Sequence, residues 1–181
     1  ETDQRGYIKV NDFLETSKEN IWAFGDVIGK HMFKHVANTE AYIAWQNAFY
    51  DHKIKMDYHA VPHAVFSHPQ IASVGLTENE AKKRKHTVLI GQAKYSDVAK
   101  GTAMMEYQGF AKAIVDKKTM KILGFHIIGP YAPMIIQEVI TFMALDARIE
   151  AISYGMHIHP ALPELIIRTL NNLTEAEPKK K

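Results

Sequence analysis

Two apolar, β-branched runs joined by a short connection place the strongest limit on the fold. Residues 110–116 and 121–128 each have the length and composition of a strand. The four residues between them, 117–120, match the length of a hairpin loop. Since a hairpin makes its two strands antiparallel, the sequence predicts an antiparallel sheet at this point of the chain.

Other strands and helices are predicted on both sides of this hairpin. The predicted strands are 7–10, 21–24, 64–66, 71–74 and 87–95, and the predicted helices are 36–50, 77–85, 133–145 and 160–173. Thr77 and Glu80 form a capping-box pattern at the start of the second helix. Because strands and helices do not alternate as in βαβ units, the sequence predicts an α+β fold, an antiparallel sheet flanked by helices.

The sequence changes character between residues 57 and 62. The first 57 residues are too few, and too poor in apolar strands, to form a domain alone, so they resemble the last piece of something larger. We therefore predict one unit over residues 1–58 and a second over 59–173. Residues 174–181 are charged and contain a proline, and they are predicted to be a disordered tail.

The composition excludes several classes of function. With 46% apolar and 23% charged residues, the chain is typical of a globular protein. The net charge of +2 gives no argument for nucleic-acid binding. The most apolar stretch, 122–145, contains prolines and a glutamate, and the first six residues are polar, so we expect no membrane segment, no secretory signal and a cytoplasmic location. The absence of cysteine excludes a disulfide framework, a thiolate metal site and a thiol nucleophile within these residues.

Two segments in the first unit are candidates for a ligand site. An apolar run, 21–24, leads into Gly25 and Asp26, where glycine allows close approach of the backbone and aspartate can accept hydrogen bonds from hydroxyl groups. Lys34 and His35 stand at the predicted start of the long helix, with Glu40 one turn later, where backbone amides can bind an anion. An ordinary turn and a plain helix entry are the alternatives.

The third candidate is the segment from His157 to Glu164. His159 precedes Pro160, the predicted first residue of a helix that contains Glu164. A carboxylate that holds one imidazole nitrogen leaves the other free for proton transfer. The alternatives are a zinc site built on His157 and His159 and a histidine that merely packs over the helix start. We expect no metal site, because no third ligand stands at a suitable spacing.

Taken together, four segments resemble the pyridine nucleotide-disulfide oxidoreductases, the flavoprotein family that includes lipoamide dehydrogenase, glutathione reductase and mycothione reductase. The segments are 21–27, 32–35, 62–77 and 159–164, and the resemblance extends over about residues 1–173. Within the family, 34–38, 76–79 and 159–164 are most similar to mycothione reductase. Ala161 stands where lipoamide dehydrogenases and glutathione reductases usually have threonine.

The resemblance implies a partial FAD site in the first unit. Gly25 and Asp26 correspond to the family's second FAD motif, whose aspartate binds the ribityl-phosphate part of the cofactor. The segment made of Met32, Phe33, Lys34 and His35 falls where the family places backbone against the isoalloxazine ring. Residues 1–58 would then be the C-terminal remnant of an FAD-binding α/β domain, and residues 59–173 the family's dimerisation domain.

The resemblance also implies a reaction. In the family, NADH or NADPH reduces FAD, FAD reduces a pair of cysteines, and the resulting thiolate exchanges with a low-molecular-weight or lipoyl disulfide. His159 would be the acid–base residue and Glu164 its orienting partner, both acting on the other subunit of a homodimer. Because the chain has no cysteine, we expect it to be inactive alone. The alternative function is a non-catalytic dimerisation or interaction module.

Overall fold

The computed structural model describes residues 1–175, and its backbone contacts divide the chain into two units, Glu1–Tyr58 and a second that begins at His59. The first unit contains a short 3-10 turn, Gly25–Ile28, and one long helix, α1 (Lys34–Phe49). The side chains of Val36, Ile43 and Ala44 form the apolar part of the buried face of α1, at helical spacing.

The second unit contains the remaining strands and helices. Its strands are β1 (Pro62–Val65), β2 (Ile71–Gly75), β3 (Val88–Lys94), β4 (Phe110–Asp116), β5 (Ile122–Ile128) and β6 (Thr174–Glu175). Its helices are α2 (Glu78–Lys83), α3 (Ala99–Ala103), α4 (Ala132–Ala144), α5 (Ile149–Ser153) and α6 (Glu164–Asn171). None of the helices in residues 1–175 has both the length and the apolar character needed to cross a bilayer.

The six strands form one antiparallel sheet in the order β1-β2-β5-β4-β3-β6. The predicted hairpin is its centre, with Ala113 opposite Phe125 in the β4–β5 pairing. Helix α4 packs against β2 and β5, and α6 packs against β3 and β4. Both helices bury their apolar sides on the same core, which includes Phe125 and Leu165. The predicted α+β architecture is therefore confirmed.

The predicted strands of the first unit are wrong. Over residues 7–10 and 21–24 the chain forms only isolated bridges, between Thr2 and Ile8 and between Glu15 and Trp22. A strand needs a continuous partner to satisfy its backbone groups. Here the partners are single positions in irregular chain, such as the Val27 carbonyl oxygen, which accepts the Ile8 N–H.

Two predictions near the C-terminus also differ from the structure. Helix α6 begins at Glu164 rather than at residue 160, because Pro163 disfavours helical backbone at the residue before it and fits the position that precedes a helix. Thr174 and Glu175, assigned to a disordered tail, pair with β3 as β6. The rest of the predicted tail lies outside the described residues.

Candidate functional site

His159 and Glu164 form a directly hydrogen-bonded pair in the second unit. The His159 Nδ1 atom lies 2.8 Å from Glu164 Oε1, and Glu164 Oε2 accepts the Ala161 N–H at 2.9 Å. The hydrogen bond from His159, with a smaller contribution from the Ala161 N–H, lowers the pKa of Glu164 below its usual value. Glu164 therefore remains a carboxylate at neutral pH and fixes both the ring and the backbone beside it.

The position of Glu164 follows from the amphipathic pattern of α6. Leu165, Ile166 and Leu170 are buried against the sheet, so the side of α6 that carries Glu164 is turned away from the core. A carboxylate in the first turn of a helix also interacts favourably with the helix dipole. The imidazole of His159 remains 67% exposed, whereas the side chain of Glu164 is 23% exposed. The histidine can thus be reached by a reacting molecule while its carboxylate partner is held in place.

A groove of about 660 Å³ borders this pair. Its walls come from the segment around Val98, from the loop between α5 and α6 and from α6. The lining residues are Asp97, Val98, Ala99, Ser153, Gly155, His157, His159, Glu164, Ile167, Arg168 and Asn171. The groove is large enough for a small molecule or for a side chain of another polypeptide beside the His159 ring.

A second histidine–carboxylate pair lies in the same region. His157 Nε2 is 2.9 Å from Glu138 Oε1 on α4, and His157 Nδ1 is 3.1 Å from the Gly155 carbonyl oxygen. The two histidines of the His-x-His segment therefore contact different carboxylates. Within residues 1–175 no group of three or more histidine, aspartate or glutamate side chains is arranged to hold a metal ion.

The predicted FAD motif occupies the 3-10 turn of the first unit. Gly25 is buried with φ of +73°, a backbone conformation that favours glycine. Its N–H donates to Glu40 Oε2 at 2.6 Å, and the Tyr58 hydroxyl donates to Glu40 Oε1 at 2.7 Å. Asp26 is exposed and has no hydrogen-bond partner for its carboxylate among the described residues. Its oxygens are thus available to hydroxyl groups of a ligand.

The segment predicted to contact the isoalloxazine ring leads into α1. Met32 and Phe33 are exposed to 54% and 37%, and the rings of Phe33 and His35 stack at 5.3 Å. Lys34 begins α1 and its ammonium group contacts the Asn38 side chain. The six residues predicted to contact FAD therefore lie close together in the chain, between the 3-10 turn and the N-terminus of α1. They are Gly25, Asp26, Met32, Phe33, Lys34 and His35.

The contacts of two carboxylates, Glu40 and Glu138, are seen in the structure but were not predicted from the sequence. Glu40 is completely buried. The sequence feature that indicates this burial is its position one turn after Val36, on the buried face of α1. Glu138 lies on α4, 19 residues before His157, which is in the loop between α5 and α6. No local pattern could have identified that contact.

Comparison with known proteins supports the resemblance. The family model "Pyridine nucleotide-disulphide oxidoreductase, dimerisation domain" matches residues 61–169, and the model "Pyridine nucleotide-disulphide oxidoreductase" matches residues 1–51. Dihydrolipoyl dehydrogenase 3 of Haloarcula marismortui is 34% identical over 97% of this chain and 36% of its own length. Mycothione reductase of Mycobacterium tuberculosis is 37% identical over 93% of this chain and 38% of its own length.

A third relative and one solved structure agree with these matches. Dihydrolipoyl dehydrogenase of Bacillus subtilis is 38% identical over 90% of this chain and 34% of its own length. The structure of the HOCl-induced flavoprotein disulfide reductase RclA from Escherichia coli is 26% identical, with a TM-score of 0.83 over 96% of this chain and 39% of that one. The chain thus spans little more than a third of the proteins it is similar to.

Proposed function

The chain belongs to the pyridine nucleotide-disulfide oxidoreductases, and on that premise we propose that it supplies the acid–base pair and the homodimer interface of an FAD-dependent NAD(P)H:disulfide oxidoreductase. His159 is the proton donor and acceptor, and Glu164 orients it. Residues 1–58 are the last part of the FAD-binding domain and residues 59–173 the dimerisation domain. The substrate is a low-molecular-weight or lipoyl disulfide, in keeping with the names of the relatives, and the proposed location is cytoplasmic.

The observation that carries this proposal is the hydrogen bond between His159 Nδ1 and Glu164 Oε1. An ionised carboxylate only accepts hydrogen bonds, so Nδ1 carries the proton when the ring is neutral. Nε2 is then the basic nitrogen and can take a proton from a thiol and return it to a leaving thiolate. The lowered pKa of Glu164 keeps this arrangement intact at neutral pH.

The residues of the 3-10 turn fit a bound flavin nucleotide. A Cβ at Gly25 would lie 3.3 Å from the Ala37 Cβ, which is tighter than ordinary van der Waals contact, so glycine favours the close approach of the turn to α1. In this proposal Asp26 accepts hydrogen bonds from ribityl hydroxyls, and the backbone from Met32 to His35 lies against the ring system. FAD, when bound, passes electrons from the pyridine nucleotide to a disulfide.

The absence of cysteine supports the proposal that this chain supplies only some of the groups needed for catalysis. A disulfide reductase needs thiolates that exchange with its substrate, and none of the 181 residues is cysteine. The reactive sulfurs must therefore come from other sequence. This same observation favours the second candidate function, a non-catalytic dimerisation module. Absorbance in the flavin bands and NAD(P)H-dependent disulfide reduction, measured on the purified chain alone, should both be absent under either reading.

A chimaeric enzyme separates the two candidates. The matching third of the Bacillus subtilis dihydrolipoyl dehydrogenase is replaced by this chain, and NADH-dependent lipoamide reduction is measured. The expected result is a dimeric flavoprotein whose kcat falls roughly 100-fold to 10,000-fold in H159Q, with a smaller loss in E164Q. The exposed His52 serves as control, and H52Q should retain activity. Full activity of H159Q would reject the catalytic assignment.

A further inference from the structure

The loop between α5 and α6 carries His159 and is poorly held by its own backbone. Its last backbone hydrogen bonds on the α5 side are donated by Tyr154 and Gly155. Residues 156–158 form no backbone–backbone hydrogen bond within the described part of the chain. Met156 and Ile158 are exposed to 101% and 80%, so apolar packing does not hold this stretch either.

His157 is the exception in this loop. Its side chain is only 14% exposed, and it reaches Glu138 on α4 through Nε2 at 2.9 Å. Its Nδ1 lies 3.1 Å from the carbonyl oxygen of Gly155, within the same loop. One ring therefore connects the loop backbone to a helix that is packed on the core of the sheet.

The chemistry of the two contacts gives His157 a different task from that of His159. The Gly155 carbonyl oxygen and the Glu138 carboxylate each lie against one ring nitrogen of His157, so neither nitrogen is open to a reacting molecule. Among residues 1–175, the hydrogen bond of the His159 ring is the one from Nδ1 to Glu164. His157 is thus held through both ring nitrogens, whereas the Nε2 atom of His159 is available for proton transfer.

We propose that His157, held by Glu138, is the positioning residue for His159: it fixes the loop so that the His159 ring meets Glu164 through Nδ1. This inference rests on the proposed function for its significance, since the positioned ring is the proposed acid–base group. The contact itself is independent of flavin, pyridine nucleotide and disulfide. Without it, the exposed segment from residue 156 to 158 would leave His159 free to rotate away from Glu164.

The test is the tautomer of the neutral His159 ring, measured by long-range ¹H–¹⁵N NMR on the 181-residue chain. The parent chain should show predominantly the Nδ1–H form, as Glu164 requires. E138A and H157A should each lose this preference and increase the backbone mobility of residues 156–159. E138Q keeps an acceptor for His157 and should restore much of the preference. These readouts do not depend on overall stability, which thermal unfolding monitors separately.

E150Q is the matched control, because it breaks the exposed Arg148–Glu150 pair on neighbouring α5 without touching the loop. Its His159 tautomer should equal that of the parent. An unchanged tautomer in both E138A and H157A would overturn the proposal, as would an equal change in E150Q. The proposed function is tested by a different experiment, the chimaeric enzyme, in which full activity of H159Q would reject it. The two results are therefore distinguishable.

Discussion

Glu40, Asp116 and Glu164 each accept hydrogen bonds from two or more groups, and each fixes a loop by doing so. Glu40 holds the 3-10 turn through Gly25, Asp116 holds the β4–β5 connection, and Glu164 holds the segment before α6. Carboxylate oxygens suit this task because two atoms offer several acceptor positions. At the scale of the residue, the loops of this protein therefore depend on particular acidic side chains.

Glu40 should be important for the stability of the first unit. E40Q replaces one carboxylate oxygen by an NH₂ group, so only one of the Gly25 N–H and the Tyr58 O–H can keep its acceptor, and the negative charge that strengthens both hydrogen bonds is lost. We expect a loss of about 1–3 kcal/mol in the free energy of unfolding, measured by urea denaturation. Y58F removes the donor to Glu40 Oε1 and leaves that oxygen of a buried carboxylate without its partner, so it should also destabilise the unit. Unchanged stability in both variants would contradict this reasoning.

Asp116 should make stability depend on acid pH. Burial by itself would raise the pKa of Asp116, but hydrogen bonds from Thr119, His86 and Lys118 outweigh it and lower the pKa below the usual 3.8. A carboxylate with a lowered folded-state pKa contributes stability above its unfolded pKa, and that contribution is lost as the pH falls through the folded value.

The measurement is urea unfolding of the parent chain and D116N between about pH 5 and about pH 2. The parent should lose stability more steeply with acid than D116N, which lacks this titration. Asp146, which pairs with Lys121 at the surface, provides the control, since D146N should follow the parent curve closely. Parallel curves for the parent and D116N would disprove the role of Asp116.

At the scale of the element, α2 depends on its capping box. Thr77 Oγ1 accepts the Glu80 N–H, and Glu80 accepts the Thr77 N–H at 2.8 Å. α2 is only six residues long, so it lacks the internal hydrogen bonds that would make it stable by itself. Its buried contact, Ala81 against Val88 and Ile114, covers part of the sheet.

T77A should therefore destabilise the chain by about 1 kcal/mol, read from thermal or urea unfolding. T141A is the matched control, because the Thr141 hydroxyl donates to the Gln137 carbonyl oxygen inside α4 and caps nothing. Its effect on stability should be clearly smaller. A T141A variant as unstable as T77A would show that loss of a threonine hydroxyl, and not of the cap, is being measured.

Local sequence patterns predict some helices and strands of this protein and fail for others. The capping box, the β4–β5 hairpin and α4 lie within a few residues of their predicted bounds, because turn chemistry and apolar periodicity are local properties. The strands expected at 7–10 and 21–24 have suitable composition but no continuous partner. Pairing depends on what lies opposite in space, which composition does not encode.

At the scale of the whole molecule, the dimerisation-domain match predicts self-association. The second unit exposes large apolar side chains, including Phe66 at 78% and Met134 at 74%. Burial of such surface is the main favourable term in association. We expect an isologous homodimer with a total interface above about 1,000 Å². Sedimentation of the purified chain over a range of concentrations should show a dimer, and a monomer at the highest concentration would contradict this expectation.

The sequence by itself determined the α+β class, the family and the His159–Glu164 pair, because periodicity, turn residues and short motifs depend on residues close in the chain. The catalytic role of that pair and the flavin contacts remain predictions. Only the tertiary structure decided that Glu40 contacts Gly25 and Tyr58, and that Glu138 on α4 contacts His157 in the loop before α6. Such contacts join residues 15 to 19 positions apart, and the packing of whole elements sets them.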